Sequence, residues 1–257
     1  MTLPSRAWHL QELPTTDELV ELRSRYHPLI AVLLWQRGVR TLEQAEVFFQ
    51  PNFPDHLGDP FSFCQMNDAV DCIVRTIQSG GKIMVHGDYD ADGVTSTVAM
   101  VEVLEAFGAD VHWYVPDRFA EGYGLKKSTI GKFIEQKVNL LITVDCGSTN
   151  VEEIAMARAA EMDVIVIDHH HQPSILPNAT AIINPVFTDE QYPFRGHSSA
   201  GVVFTVTRAL LQSTNYGATL GKTILPGWEK WLLDLVAIST VADMMPLLGE
   251  NRLLVSF

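Results

Sequence analysis

The sequence is short of the features that mark several common protein classes. Its three cysteines (Cys64, Cys72, Cys146) show no CxxC spacing, so neither a disulfide framework nor a zinc ribbon is indicated. No apolar run approaches the roughly 18 residues that a membrane helix needs, and Met1–Leu10 lacks the charged-then-apolar order of a signal peptide. A soluble chain in a reducing, cytoplasmic setting, without a membrane partner, is the expectation. Basic residues are scarce as well: 18 Lys and Arg face 31 Asp and Glu, a net charge of −13. Proteins that hold nucleic acid by its backbone charge are usually basic. A polyanionic substrate would therefore have to be met by bound cations and a few local basic residues. No internal repeat or low-complexity tract is present.

What is there reads as ordinary globular sequence. With 257 residues, 47% hydrophobic and 19% charged, the chain can bury one large α/β core and a small attachment. Residues 1–65 read as a helical prefix. Pro28–Arg37 is apolar on a helical period and is stopped by Gly38, and Thr41-Leu-Glu-Gln44 has the form of a capping box opening a helix through Phe49. Pro51 and Pro54 end that helix. From about residue 66 to 257 the pattern alternates. Short apolar strands over Lys82–Val85, Asp110–Val115, Asn139–Val144, Asp163–Ile167 and Ala181–Ile183 are separated by helical stretches. The helices are expected over Asp68–Ser79, Gly93–Phe107, Lys126–Gln136 and Val151–Ala160, with two more at Ser198–Leu211 and Trp228–Val241. This order predicts an α/β fold, a Rossmann-like open parallel β-sheet with helices on both faces.

One stretch organises the rest. In Lys82–Gly93 (KIMVHGDYDADG) an apolar run ends in His86, and Asp88, Asp90 and Asp92 follow at every second residue. Carboxylates this close repel one another unless a positive group sits among them. The spacing copies the opening of a calcium-binding EF-hand loop, but the twelfth position is Ala99 rather than Glu, and a strand precedes the motif. The EF-hand reading fails. Two later strands end in similar residues: Asp145 in VDCGS, and Asp168-His169-His170-His171. In an open parallel sheet the carboxyl ends of the strands share one edge, where ligands bind. Asp243, in TVADMMPL, follows an apolar helix and is a further candidate. Each residue has a plain structural reading too: Asp145 or Asp243 as a cap, the histidines as a surface tract. Together, carboxylates and imidazoles without thiolate suit manganese or magnesium. There are too many ligands for one ion, so two ions bridged by Asp145 are expected. Paired divalent ions serve phosphoester hydrolysis, activating water and polarising phosphoryl oxygens.

HGDYDADG, VDCG, DHH, SSAG (Ser198–Gly201) and TVAD stand in the order of the DHH phosphoesterase superfamily, which the chain resembles. DRFAEGYGL (Asp117–Leu125), AIINP (Ala181–Pro185) and LLWQRGV (Leu33–Val39) are similar to segments of its RecJ-type single-strand-specific exonucleases. The resemblance implies that His86, Asp90 and Asp145 hold one manganese (or magnesium), and Asp92, Asp145, His169 and Asp243 the other. It implies His170 facing the scissile phosphate, with Asp145 and His170 central to catalysis, and Asp88 and Asp168 orienting ligands. Arg118, Arg195, Lys126 and Lys127 are candidate phosphate contacts. Stepwise hydrolysis of single-stranded DNA from the 5′ end is the implied activity. Single-strand-binding protein or other repair proteins are the implied partners. Ser148 departs from the pattern, standing where an aliphatic residue is usual. RecJ-like proteins also continue into a second, substrate-gripping domain beyond the position of Phe257, so an impaired activity is expected here. Two other readings stay open: a DHH-type hydrolase of short oligonucleotides, cyclic dinucleotides or pyrophosphate, and a non-catalytic scaffold.

Overall fold

A computed structural model describes residues 11–53 and 55–257. The signal-peptide reading of Met1–Leu10 and the helix-breaking role given to Pro54 lie outside those residues. The chain divides into two units, Met1–His56 and Leu57–Phe257.

The first unit is helical: α1 (Val20–Arg23), α2 (Pro28–Gln36) and α3 (Leu42–Phe49). Pro28 sits in the first turn of α2, where its missing N–H costs nothing. Thr41 caps α3 in the reciprocal arrangement expected from its sequence, its hydroxyl taking the Gln44 N–H while the Gln44 side chain returns to the Thr41 N–H. Leu19, Leu22, Ala31, Leu34 and Ala45 form this unit's own small core.

The second unit begins earlier than the sequence suggested. Residues 57–65, read there as part of the prefix, belong to it: the Gly58 N–H donates to Glu250 and Phe63 stacks on Tyr192. Its elements are α4 (Met66–Gln78), β1 (Lys82–His86), α5 (Ala91–Phe107), β2 (Asp110–Tyr114), α6 (Lys127–Glu135), β3 (Leu140–Val144), α7 (Val151–Ala159), β4 (Asp163–Ile167), β5 (Ala181–Ile183), α8 (Ser199–Ser213), α9 (Leu233–Ala242) and α10 (Gly249–Ser256). All strand pairs are parallel and the sheet order is β2-β1-β3-β4-β5.

The pleat sorts the strand residues between two faces. Met84, Leu141, Val164 and Val166 join Ile130 and Phe133 of α6 and Ile154 and Ala157 of α7 on one of them. The alternate residues Ile83, Val85, Ile142, Val144, Ile165 and Ile167 are buried on the opposite side, where α5, α8 and α9 pack on one another. The edge strand β2 departs from the expected double cover. Trp113 is 65% exposed and Asp110 and His112 lie in solvent, because only one side of an edge strand has a sheet neighbour. Two helices also differ from expectation. The stretch from Trp228 begins as a 3₁₀ turn through Leu232 before α9 starts, and α10 was not foreseen because no side chain caps it. Among the described residues no helix is long and apolar enough to cross a membrane.

A buried polar knot ties α10 to the rest. Glu250 accepts from the Tyr192 hydroxyl (2.8 Å) and the Gly58 N–H (3.1 Å) and pairs with His197 Nε2 (3.1 Å). Burial alone would raise the Glu250 carboxyl, yet these partners hold it below its ordinary 4.5. A carboxyl depressed by folding stabilises the fold above its unfolded pKa, and the contribution fades as pH falls through the lower folded value. The thermal midpoint should therefore drop on acidification below about pH 4.5, and Glu250→Gln should flatten part of that slope, as measured by melting curves across a pH series.

Candidate metal centre

The sheet order reverses between β1 and β3, and the crevice at such a switch point is where open α/β sheets bind ligands. The candidate residues gather beside it. After β1 the backbone folds tightly back on itself. A Cβ on Gly93 would meet the Asp88 carbonyl oxygen at 2.5 Å and the Asp88 nitrogen at 2.6 Å, and one on Gly87 would collide with the Thr97 hydroxyl. Only glycine fits at either place. The turn lets Asp90 cap α5, its carboxylate taking the Gly93 N–H at 2.9 Å. Helix α5 thus starts at Ala91, two residues before the sequence suggested, and Asp92 lies inside its first turn.

Asp92 is buried and heavily held. Its Oδ1 accepts from the hydroxyls of Ser239 (2.6 Å) and Ser96 (3.1 Å) and the Ala200 N–H (3.1 Å), and its Oδ2 accepts from the Ser199 N–H (2.8 Å). The SSAG segment therefore has a structural purpose: its amides open α8 and point at a carboxylate, as helix N-termini do.

Asp145 does not cap α7, whose N-cap residue is Asn150. It adopts φ 59°, a left-handed conformation uncommon outside glycine and asparagine-like residues, and its carboxylate lies among the others. Burial, with the nearby Asp92 and Asp90 charges, pushes its carboxyl up to about 8, although His169 pulls the other way. His169 Nε2 lies 3.3 Å from Asp145 Oδ1, 3.5 Å from Asp92 Oδ2 and 3.6 Å from Asp243 Oδ2. Burial disfavours its charged form, but Asp145, Asp92 and Asp168 outweigh burial and raise it to about 9. Asp243 follows the last turn of α9, four residues after Ser239.

Asp168 takes the N–H groups of His169 (2.8 Å), His170 (3.1 Å) and Ser148 (3.0 Å) and the His170 Nδ1 at 2.7 Å. Burial would raise this carboxyl, but His170 and Ser148 bring it well below the usual range. Its charge fixes Nδ1 of His170 as a donor and leaves Nε2 for other work.

Donor atoms gather within 4.8 Å of one another in three groups: Asp92, His169 and Asp243; Asp88, Asp90 and Asp145; and Asp145, His169 and His170. His86 is in none of them. As the residue two after Met84 it points to the same face, stacking on Tyr114 at 5.6 Å and meeting Phe133 edge-on. Burial lowers it to about 4, so it is neutral there. Asp88, expected only to orient ligands, stands in reach instead. Its Oδ1 is buried with no hydrogen-bond partner, and burial, reinforced by Asp90, raises its carboxyl. An orphaned buried carboxylate oxygen beside two more carboxylates fits a hard divalent cation.

The basic candidates differ. Arg118 is exposed and lies over the Tyr89 ring, 5.2 Å from its centre, at the rim of the motif. Arg195 instead ties a loop, donating to the Phe187 and Glu190 carbonyls, while Lys126 donates to the Tyr123 carbonyl and Lys127 pairs with Glu152. Three contributors had no role in the sequence reading. The Tyr123 hydroxyl donates to the Asp145 carbonyl (3.2 Å) and lies 3.4 Å from the His170 ring nitrogens. Asn184 donates to the His170 carbonyl and to the Ser148 hydroxyl, so the departure at Ser148 is put to use. Ser239 grips Asp92. All three sit in or beside quoted motifs (GYGL, AIINP, TVAD), but their partners are remote in sequence.

A family model described as the DHH family, N-terminal domain, matches residues 82–240. The chain belongs to the DHH family. Within it the chain is 40% identical over 249 residues to the single-stranded-DNA-specific exonuclease RecJ of Bacillus subtilis (strain 168), covering 96% of this chain and 30% of that protein. It is 35% identical over 240 residues to the Salmonella typhimurium RecJ, covering 93% and 41%. The structure of Thermus thermophilus RecJ in complex with Mn2+ superposes with a TM-score of 0.74 at 29% identity, covering 95% of this chain and 33% of that one. A second exonuclease RecJ structure bound to manganese gives 0.66 at 34% identity, covering 75% and 46%. This DHH chain thus spans between 30% and 46% of the length of these relatives.

Raised pKa values at a ligand cluster mean that cations and protons compete there. Mn2+ binding near pH 7.5 should release at least about one proton per chain, measurable in weakly buffered solution. Apparent affinity should rise with pH until Asp145 and His169 titrate at about 8 and about 9; pH-independent binding would contradict this.

Proposed function

We propose that the chain carries the metal-dependent phosphodiesterase centre of a RecJ-type 5′→3′ single-stranded-DNA exonuclease, holding two divalent cations, manganese or magnesium, with Asp145 shared between them. The convergence of Asp92, Asp145 and Asp243 on His169 Nε2 carries this reading. These four residues are the proposed ligands of one cation. Asp90 and Asp145 are proposed for the other, and its third donor is Asp88 or His86. The grouping of Asp88 with Asp90 and Asp145 supports Asp88, whereas the resemblance points to His86. Loss of one manganese equivalent in Asp88→Ala but not in His86→Ala, measured by calorimetry, is the expected outcome.

When bound, such ions supply Lewis-acid polarisation of the phosphoryl oxygens and an acidified water. The protein side chains do the rest. The hydrogen bond to Asp168 favours the charged form of His170, raising its pKa against the effect of burial. His170 can then stabilise charge on a phosphoryl oxygen or deliver a proton from Nε2. Arg118 at the rim is a proposed phosphate contact, whereas the Arg195 guanidinium is engaged by the Phe187 and Glu190 carbonyls. Single-stranded DNA is the proposed substrate, and single-strand-binding protein and other repair proteins the proposed partners. A cytoplasmic setting belongs to the same reading, supported by three unpaired cysteines. The helical first unit is proposed as a separate attachment.

The net charge of −13 favours one other reading, a DHH-type hydrolase of short oligonucleotides, since a small substrate needs no long basic groove. Digestion of a long 5′-phosphorylated strand and of a dinucleotide with manganese separates them. Shortening of the strand from its 5′ end is expected, falling at least ~100-fold in Asp145→Ala, which loses the shared ligand. Cleavage of the dinucleotide alone would favour the small-substrate reading, and cleavage of neither by a manganese-loaded chain would favour a scaffold.

A further inference from the structure

We propose that Glu250 and Asn251, at the start of α10, are positioning residues of the metal centre that act on the cation group of Asp92, His169 and Asp243. The inference rests on the two-cation reading above.

The carboxylate of Asp92 is set by the first turn of α8, because the Ser199 and Ala200 amides grip both of its oxygens. The position of that turn is in turn set from two sides. From α9, Ser239 bonds the Ser198 hydroxyl at 2.6 Å and Thr240 bonds it at 3.2 Å. From α10, Glu250 and Asn251 hold the two residues that lead into it. His197 is fully buried, its Nε2 is 3.1 Å from Glu250 Oε2, and its ring packs against Tyr192 and Phe194. The Gly196 carbonyl accepts from Asn251 Nδ2 at 2.5 Å. That same amide donates to the Pro246 carbonyl at 3.1 Å, bracing the turn that follows Asp243. Two adjacent residues therefore buttress the backbone on both flanks of one ligand group, Asp92 on one side and Asp243 on the other. They make no such contact with the backbone of Asp88, Asp90 or Asp145. Glutamine at 250 would keep the volume but could not satisfy the Tyr192 hydroxyl, the Gly58 amide and His197 as the carboxylate does.

A positioning role predicts a selective loss, which general destabilisation would not produce. Titration of the full chain with Mn2+, read by calorimetry and by electron paramagnetic resonance, should show two sites in the wild type. In Glu250→Gln one site should weaken about tenfold or more, in line with outer-shell partners of metal ligands, and the other should stay within about twofold. Asn251→Ser should act in the same direction, and circular dichroism at the assay temperature establishes that each variant is folded. Two sites unchanged in a folded variant, or both weakened equally, would overturn the inference alone. If neither variant folds, the pair is a requirement of the fold and the selective role is likewise overturned. A wild-type chain that binds no manganese would overturn the two-cation reading itself.

Discussion

Mutual repulsion among buried carboxylates is the constraint on which this structure turns. Asp88, Asp92 and Asp145 are almost wholly removed from water, with Asp90 beside them, and like charges so placed oppose folding unless something offsets them. The fold offsets them in part with its own groups. Amides at the start of α8 and a serine from α9 satisfy Asp92, and the imidazole of His169 stands among Asp92, Asp145 and Asp243. What remains uncompensated, above all the bare Asp88 oxygen, marks where a cation is wanted.

The sheet topology makes this concentration of charge affordable. Strands β1, β3 and β4 are adjacent and parallel, so their carboxyl ends face one crevice while their apolar bodies lie buried between helices. Asp168 adds a second level of order. It sits beneath the site as a fixed anion, pinning the backbone after β4 and the ring of His170 together. Chemistry and scaffold are thus joined through hydrogen bonds that run from strand ends to helix starts.

Much of this could be read from the sequence because it is periodic or local. Apolar strands alternating with helices gave the parallel sheet, and strand ends rich in Asp and His gave the site, since a strand's exit is a fixed place in such a fold. The capping box at Thr41 is a contact across three residues and was equally legible. Direction and distance were harder. His86 belongs to the motif, yet the pleat turns it toward Tyr114 and Phe133, and a pleat phase is settled by the whole sheet. The grips on Asp92 by Ser199 and Ser239 join residues more than a hundred positions apart. Small polar residues in apolar helices give no sign of what they will meet. The short α10 lacks a capping side chain, and nothing local marks its Glu250 as buried.

The long reach of those contacts bears on how the protein is made. Asp92 meets Ser239 across a separation of 147 residues. At roughly 5–20 residues per second of synthesis, Asp92 would wait about seven to thirty seconds for its partner. During that interval the nascent chain holds the acidic motif of β1 and α5 without Ser239, Asp243 or the brace of α10. A growing chain is therefore unable to assemble the proposed ligand set early, and the proposed hydrolysis would be confined to molecules whose folding has passed α10.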